Sequence, residues 1–142
     1  MELTYVILAD AAELSPNGKF SLLGGGIENI FAPTFPAIHP GLALVVRLRA
    51  RSSEVEQDHK FHVDIIGPND FNVTPGTIIE FKPRTMPGEP DRPVAFTLVM
   101  NIVPIVLPEP GTYLGHLYVD SQEVGTFPLD VQKSTIDEAS SS

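Results

Sequence analysis

The sequence contains no cysteine and no tryptophan among its 142 residues. Without cysteine the chain has no disulfide, no thiolate metal ligand and no cysteine nucleophile, which fits a reducing compartment and predicts a cytoplasmic protein. A glycosidase positions two carboxylates around its sugar, usually beside aromatic rings, and three tyrosines without tryptophan fit that class poorly. The composition therefore removes thiol-based functions and argues against carbohydrate cleavage.

Positive charge is also scarce. Nine Lys and Arg residues stand against 18 Asp and Glu residues, which gives a net charge of −9 and a pI near 4.7. Nucleic-acid binding draws its affinity largely from clustered cations, so we expect no nucleic-acid partner. No apolar run approaches the ~20 residues that span a bilayer, and no Lys or Arg precedes the first apolar run as in a secretory signal. We therefore expect no membrane partner and no leader sequence.

The few cations are concentrated in the middle of the chain. Residues 47–92 hold seven of the nine cations, whereas residues 93–142 hold one cation against six acids. The chain therefore has a relatively basic middle part and a strongly acidic C-terminal part.

Hydrophobic and polar residues alternate with a period of two over most of the chain, as in strands with one buried face. The clearest segments are 42–51, 94–102 and a C-terminal hairpin over 110–131 with a polar turn at 120–123. The pattern predicts about eight or nine short strands in an all-β, antiparallel β-sandwich of immunoglobulin-like or related Greek-key type. We expect one domain over 1–132 and a flexible tail over 133–142.

Several stretches resemble an uncharacterised bacterial family that is known only as a domain of unknown function. They are Ala-Asp-Ala-Ala at 9–12, Lys-Phe-Ser-Leu-Leu-Gly-Gly-Gly at 19–26, Ala-Pro-Thr-Phe-Pro-Ala at 32–37, His-Pro at 39–40, Pro-Gly-Thr-Tyr at 110–113 and Val-Asp at 119–120. The resemblance implies a β-sandwich from a bacterium, but it assigns no catalytic or binding residue. Gly115 departs from the family pattern, which carries a larger inward residue there, and this predicts a gap or a close backbone approach.

Residues with catalytic or metal-binding potential form no recognisable constellation. His62 and Asp64 share a strand face, but a catalytic zinc site needs three protein ligands, so we expect no metal and no cofactor. Asp10 lies in an apolar run and is a candidate buried acid. The simpler interpretation is that its oxygens accept N–H groups of the following turn. No Gly-x-Ser-x-Gly nucleophile motif is present.

The strongest functional feature is a row of arginines. Arg47, Arg49 and Arg51 alternate with apolar residues and should project from one sheet face at steps of about 7 Å. If the following strands join the same sheet, four more residues extend this basic face: Lys60, His62, Lys82 and Arg84. The alternative is a solvated face that Asp64 and Glu80 neutralise across strands.

These observations favour a non-enzymatic protein-interaction or self-assembly module. Its basic face would bind an acidic protein, or the acidic C-terminal part of a second copy. One alternative is a sandwich that binds a small ligand or carbohydrate through loops carrying Phe31, Phe35 and Tyr118. Another alternative is an enzyme with an unrecognised site that combines Asp10 with histidine and arginine.

Overall fold

The structure is a computed structural model, and it describes residues 1–74, 76–89, 91–102 and 104–134. This part of the chain is all-β, with two short 3-10 turns at Ser52–Glu54 and Pro68–Asp70. Its twelve strands are β1 (Glu2–Ala9), β2 (Ala11–Leu14), β3 (Phe20–Leu23), β4 (Asn29–Ala32), β5 (Ala37–His39), β6 (Leu42–Ala50), β7 (His59–Ile66), β8 (Ile78–Phe81), β9 (Val94–Ile102), β10 (Ile105–Leu107), β11 (Gly111–Val119) and β12 (Gln122–Lys133).

Two main sheets form the body of the molecule. A three-stranded sheet has the order β1-β6-β9, and a five-stranded sheet has the order β4-β12-β11-β7-β8. Two small two-stranded sheets, β2-β3 and β10-β5, accompany them. The pairs are antiparallel except β4 and β12, which run parallel.

The inner faces of the two main sheets share one hydrophobic core. Leu42, Leu44, Val46 and Leu48 point inward from β6 because they are two residues apart. The same period brings Phe61, Val63 and Ile65 of β7, and Tyr113 and Leu117 of β11, into the opposite layer, and all of these are essentially fully buried. The predicted all-β sandwich is therefore confirmed.

The number of strands exceeds the prediction because short strands occur in segments that were assigned to loops. β5 and β10 have three residues each and pair with one another between flanking prolines. Three residues are too few to show a period of two, so the sequence pattern does not reveal them. The first predicted strand is also divided at Asp10 into β1 and β2.

The β2-β3 hairpin packs on the outer face of the three-stranded sheet. Ala43 and Val45 point outward from β6, yet both are fully buried, and the Asn101 side chain donates a hydrogen bond to the Ala12 carbonyl at 3.3 Å. The hairpin therefore covers one half of this outer face and leaves the other half open.

Gly115 provides a close approach and leaves no gap. The Phe127 ring from the paired strand β12 lies directly over the Gly115 Cα, where a Cβ would collide with it. The small residue therefore lets a large aromatic side chain fill this part of the core.

The first two residues of the predicted C-terminal tail belong to the folded part of the chain. Lys133 is the last residue of β12, and the buried Ser134 donates its N–H to the Ala32 carbonyl at 2.9 Å. Residues 135–142 of the predicted tail lie outside the described residues. Within the described ranges, no helix is long and apolar enough to span a membrane.

Candidate functional site

Three arginines lie at the open half of the outer face of the three-stranded sheet. Arg47, Arg49 and Arg51 together form the arginine face, with Arg47 and Arg49 in β6 and Arg51 directly after it. The partly buried Arg47 donates from Nη1 to Thr97 Oγ1 at 3.1 Å, and Arg49 is exposed. Arg51 Nε lies 3.8 Å from Glu54 Oε1.

Arg47 and Arg49 form no ion pair among the described residues, although one acid, Glu2, lies beside Arg49. Tyr5 and Thr97 flank Arg47 across the sheet, while Glu2 and Ala95 flank Arg49. Among the described residues, no carboxylate oxygen lies within 4.0 Å of either guanidinium group. These two arginines are therefore available to an external acidic group.

The predicted extension of this face by Lys60 and His62 is wrong. β6 pairs with β1 and β9, whereas β7 pairs with β11 and β8 in the other sheet. The connection after β6 contains a 3-10 turn and crosses between the sheets instead of closing a tight hairpin. Lys60 and His62 consequently lie on the outer face of the five-stranded sheet, on the opposite side of the sandwich.

Lys82 and Arg84 also lie away from the arginine face. They follow β8, which joins the five-stranded sheet. The Lys82 ammonium group is 3.7 Å from Asp58 Oδ1, and Arg84 Nη1 is 3.5 Å from Glu56 Oε2. Both cations are therefore partly neutralised by neighbouring acids.

The outer face of the five-stranded sheet is predominantly acidic. We call it the acidic face, and its outward strand residues carry four carboxylates against the ammonium group of Lys60, a formal charge of −3 with neutral histidine. The carboxylates belong to Asp64, Glu80, Glu123 and Asp130. The sandwich therefore has outer faces of opposite sign.

A row of three aromatic rings crosses the acidic face. Tyr118 stacks on His62 with ring centres 4.4 Å apart and 11° between planes, and His116 lies on its other side at 6.4 Å. His62 Nε2 is 3.8 Å from Asp64 Oδ2, and His116 Nδ1 is 2.6 Å from Glu123 Oε1. The row separates and orients the Asp64 and Glu123 carboxylates.

The residues of the small-ligand alternative do not line one pocket. Phe31 is 58% exposed and borders a cleft of about 450 Å³ among prolines of the 33–40 loop, and Phe35 packs against the core. Tyr118 lies opposite Glu123, whereas Phe31 pairs with Gln132 nine residues further along β12. At about 3.3 Å per residue, Tyr118 is roughly 30 Å from this cleft.

Asp10 is exposed, so the prediction of a buried acid at this position is wrong. It occupies the corner between β1 and β2, where its N–H donates to the carbonyls of Leu23 and Gly24 at 3.0 and 3.2 Å. Its carboxylate lies against the Gly24 Cα. Within the described part of the chain, Asp10 forms no ion pair with arginine or histidine.

The most constrained polar group among the described residues is His59, which no sequence motif singled out. It is only 7% exposed, with Nδ1 2.6 Å from Asp120 Oδ2 and Nε2 2.7 Å from the Glu54 carbonyl. Burial of the ring opposes its charge, but these two contacts and the nearby carboxylates outweigh burial and raise the pKa of His59. The sequence did contain a signal, since His59 shares the inward period of Phe61 and Val63.

Comparison with known families finds a match. Residues 4–132 match a family of unknown function, DUF6941. The chain belongs to this family. The matched residues run from within β1 to within β12, and they confirm the resemblance that the sequence motifs indicated. No curated protein and no solved structure shows significant similarity to the chain.

The description of DUF6941 names no activity, so the role of the site rests on its geometry. Among the described residues, no three His, Asp or Glu side chains converge as metal ligands would. The charged groups that the fold presents outward are arranged as a basic face and an acidic face. Such an arrangement is suited to electrostatic recognition of another macromolecule.

Proposed function

We propose that this protein is a non-enzymatic interaction module that binds an acidic surface of a partner protein through its arginine face. The observation that carries the proposal is that Arg47 and Arg49 form no ion pair among the described residues, although Glu2 lies opposite Arg49 in the register of β1 and β6. The chain has twice as many acids as bases. Among the described residues Arg51, Lys82, Arg84 and Arg92 each form an ion pair, whereas Arg47 and Arg49 do not. Two adjacent unpaired guanidinium groups on an open sheet surface are therefore suited to an external ligand.

The supporting chemistry is that of arginine itself. A guanidinium group is always charged and presents planar donors that match a carboxylate in a bidentate arrangement. The bond from Arg47 to Thr97 holds one of these groups in place. Exposed charges of this kind increase the association rate and the specificity for a partner more than they increase the affinity.

The test is binding to poly-L-glutamate, a defined acidic probe. We expect the wild-type protein to bind it at about 0.1 M salt and to release it at about 1 M salt, where the screening length falls to roughly 3 Å. The substitution Arg49→Glu should lower the apparent affinity at least about tenfold, since it replaces an attraction with a repulsion.

Arg84→Glu is the matched control, because it makes the same change of charge on the other sheet at a cation that Glu56 already neutralises. It should bind the probe nearly as the wild type does. Equal loss in both variants, or no binding by the wild type at the lower salt, would overturn the proposal.

The same proposal includes a cytoplasmic location, which is supported by the absence of cysteine. We further propose an immunoglobulin-like strand arrangement and a bacterial source, as the sequence predicts. The non-enzymatic character is likewise part of the proposal.

A second candidate function is binding of a small apolar ligand in the cleft beside Phe31. The observation in its favour is a concavity of about 450 Å³ lined by Phe31, Ile38 and prolines, with Thr34 and His39 as its polar side chains. Ligand pockets commonly have volumes of roughly 300–1,000 Å³ and mostly apolar walls. The rigid prolines would keep this cleft open in the absence of a ligand.

The uncharged dye Nile red tests this second function. Phe31→Ser should lower the dye fluorescence several-fold, because it removes the largest exposed apolar side chain of the cleft. Phe71→Ser is the control, since Phe71 is similarly exposed at 49% but lies outside the cleft. A similar decrease in both variants would show that the dye binds exposed apolar surface in general. The cleft would then be excluded as a specific binding site.

A further inference from the structure

We propose that the acidic partner is a second copy of this chain. The arginine face of one copy docks on the acidic face of the next, so that the copies associate head to tail. This inference rests on the proposed function, because it uses the same arginines and names their ligand.

Charge complementarity is the first argument. The two main sheets turn their inner faces to one shared core, so the arginine face and the acidic face point in opposite directions. One face presents three guanidinium groups with the carboxylate of Glu2, and the other presents four carboxylates with Lys60. Each copy therefore carries both halves of a complementary contact and cannot satisfy them within itself.

Spacing is the second argument. Arg47 and Arg51 are four residues apart, which corresponds to about 14 Å along an extended strand. Asp64 and Glu123 lie on β7 and β12 with β11 between them and are offset by two residues along the strands. This corresponds to about 10 Å across two strand spacings and about 7 Å along them, or roughly 12 Å in all. A row of arginines about 14 Å long can therefore contact both Asp64 and Glu123 of another copy.

The acidic face is preorganised for such a contact. Asn72 Nδ2 donates to Asp64 Oδ1 at 3.0 Å, and His116 holds Glu123 at 2.6 Å. Tyr118 lies between β7 and β12 in register with both His62 and Glu123, and its ring stacks on that of His62. Groups that are already ordered lose less conformational entropy on binding, which favours association.

A contact between two different faces leaves one free face of each kind on every pair. Such heterologous contacts add further copies and produce a ring if the rotation closes or an open filament if it does not. The net charge of −9 opposes this association over long distances. At about 0.1 M salt that repulsion is screened beyond roughly 10 Å, while groups in direct contact still attract.

The experiment is the mass in solution, measured by sedimentation with the full chain. We expect a weight-average mass at least twice the 15.4 kDa of one chain at about 0.1 M salt, and the monomer mass at about 1 M salt. Arg49→Glu and Glu123→Lys should each give a monomer. The double variant Arg49→Glu/Glu123→Lys should associate again, because each face then meets the reversed charge of the other.

Control variants separate this contact from a general effect of charge. Glu13→Lys reverses the charge of an exposed acid of β2 that belongs to neither face. Arg84→Glu reverses the charge of a cation that also belongs to neither face. Both variants should associate like the wild type. Glu80→Lys is a second acidic-face variant and should also give a monomer, which covers the case that Glu123→Lys fails to fold through loss of its contact with His116.

The outcomes distinguish the two proposals. A wild-type monomer at every protein concentration tested, or a double variant that stays monomeric although folded, overturns head-to-tail association. If such a protein still binds poly-L-glutamate through Arg49, the proposed function stands and the partner is another protein. If poly-L-glutamate binding is also absent, both proposals fail.

Discussion

At the scale of single residues, the turn between β11 and β12 requires an unusual backbone conformation. Asp120 and Ser121 both have left-handed backbone conformations, with φ of 50° and 67°, which cost energy for residues with a side chain. Asp120 is fixed there because Oδ1 accepts the Lys60 N–H at 3.0 Å and Oδ2 contacts His59 at 2.6 Å. The buried histidine therefore anchors a strained hairpin.

This anchor predicts a pH-dependent stability. Burial works against the Asp120 carboxylate, but His59 and the Lys60 N–H outweigh burial and lower the pKa of Asp120, while the pKa of His59 is raised. A raised histidine pKa stabilises the fold below the unfolded value of 6.5, and this stability is lost as pH rises through the folded pKa. The lowered aspartate pKa stabilises the fold above the unfolded value of 3.8, and this stability is lost as pH falls through the folded pKa.

The free energy of unfolding that Asp120→Asn removes should therefore be larger at about pH 6 than at about pH 9. Urea denaturation at the two pH values measures it. Asp58→Asn, at an exposed acid paired with Lys82, should show no such difference between these pH values. An equal loss for Asp120→Asn at both pH values would show that the histidine charge does not contribute.

The sequence predicts only one half of this pair. The period of two places His59 on the inner face beside Phe61, because alternation is a local property of an extended strand. Asp120 lies 61 residues away, and no local pattern reports which carboxylate a buried histidine will meet. Contacts of this kind depend on the order of strands in the sheet.

At the scale of elements, the pair of β11 and β12 shows how one residue determines the packing of another. Gly115 has no side chain, and the Phe127 ring occupies the space that a side chain would need. The ring is buried with 5% exposure. A larger residue at position 115 would have to displace this ring from the core.

We expect Gly115→Ala to lower the free energy of unfolding by about 1–3 kcal/mol, the usual range for overpacking a core. The double variant Gly115→Ala/Phe127→Leu should lose less than the sum of the two single losses, because leucine leaves room for the new methyl group. Chemical denaturation of the four proteins provides the cycle. Strict additivity would mean that the ring is not the cause of the loss.

The sequence predicts the bounds of some strands well, but it does not predict which strands pair with one another. The bounds of β7 and β9 follow from alternation alone and agree with the structure. The neighbour of β6 does not follow, because β1 and β9 each present an apolar face as suitable as that of β7. The predicted basic face failed at this step, since Lys60 and His62 belong to a strand that the chain places in the other sheet.

At the scale of the whole molecule, the fold class was predictable and the distribution of charge was not. Alternation, turn residues and the absence of a helical period specify a β-sandwich. The side of the sandwich on which each charge lies depends on where the connections cross between sheets. The sequence correctly predicts that Arg47 and Arg49 point outward. The sequence of β6 does not predict that the β2-β3 hairpin covers Val45 on the same face.

The order of strands in the five-stranded sheet also determines when that sheet can exist. β11 and β12 lie in its middle, between β4 on one side and β7 and β8 on the other, yet they are the last of the five to leave the ribosome. Until they emerge, β4 and β7 lack their central neighbours, and the apolar face of β7 has no complete layer around it. Synthesis that stops before residue 111 therefore releases a chain without the centre of its larger sheet, which exposes unpaired strand edges and favours aggregation.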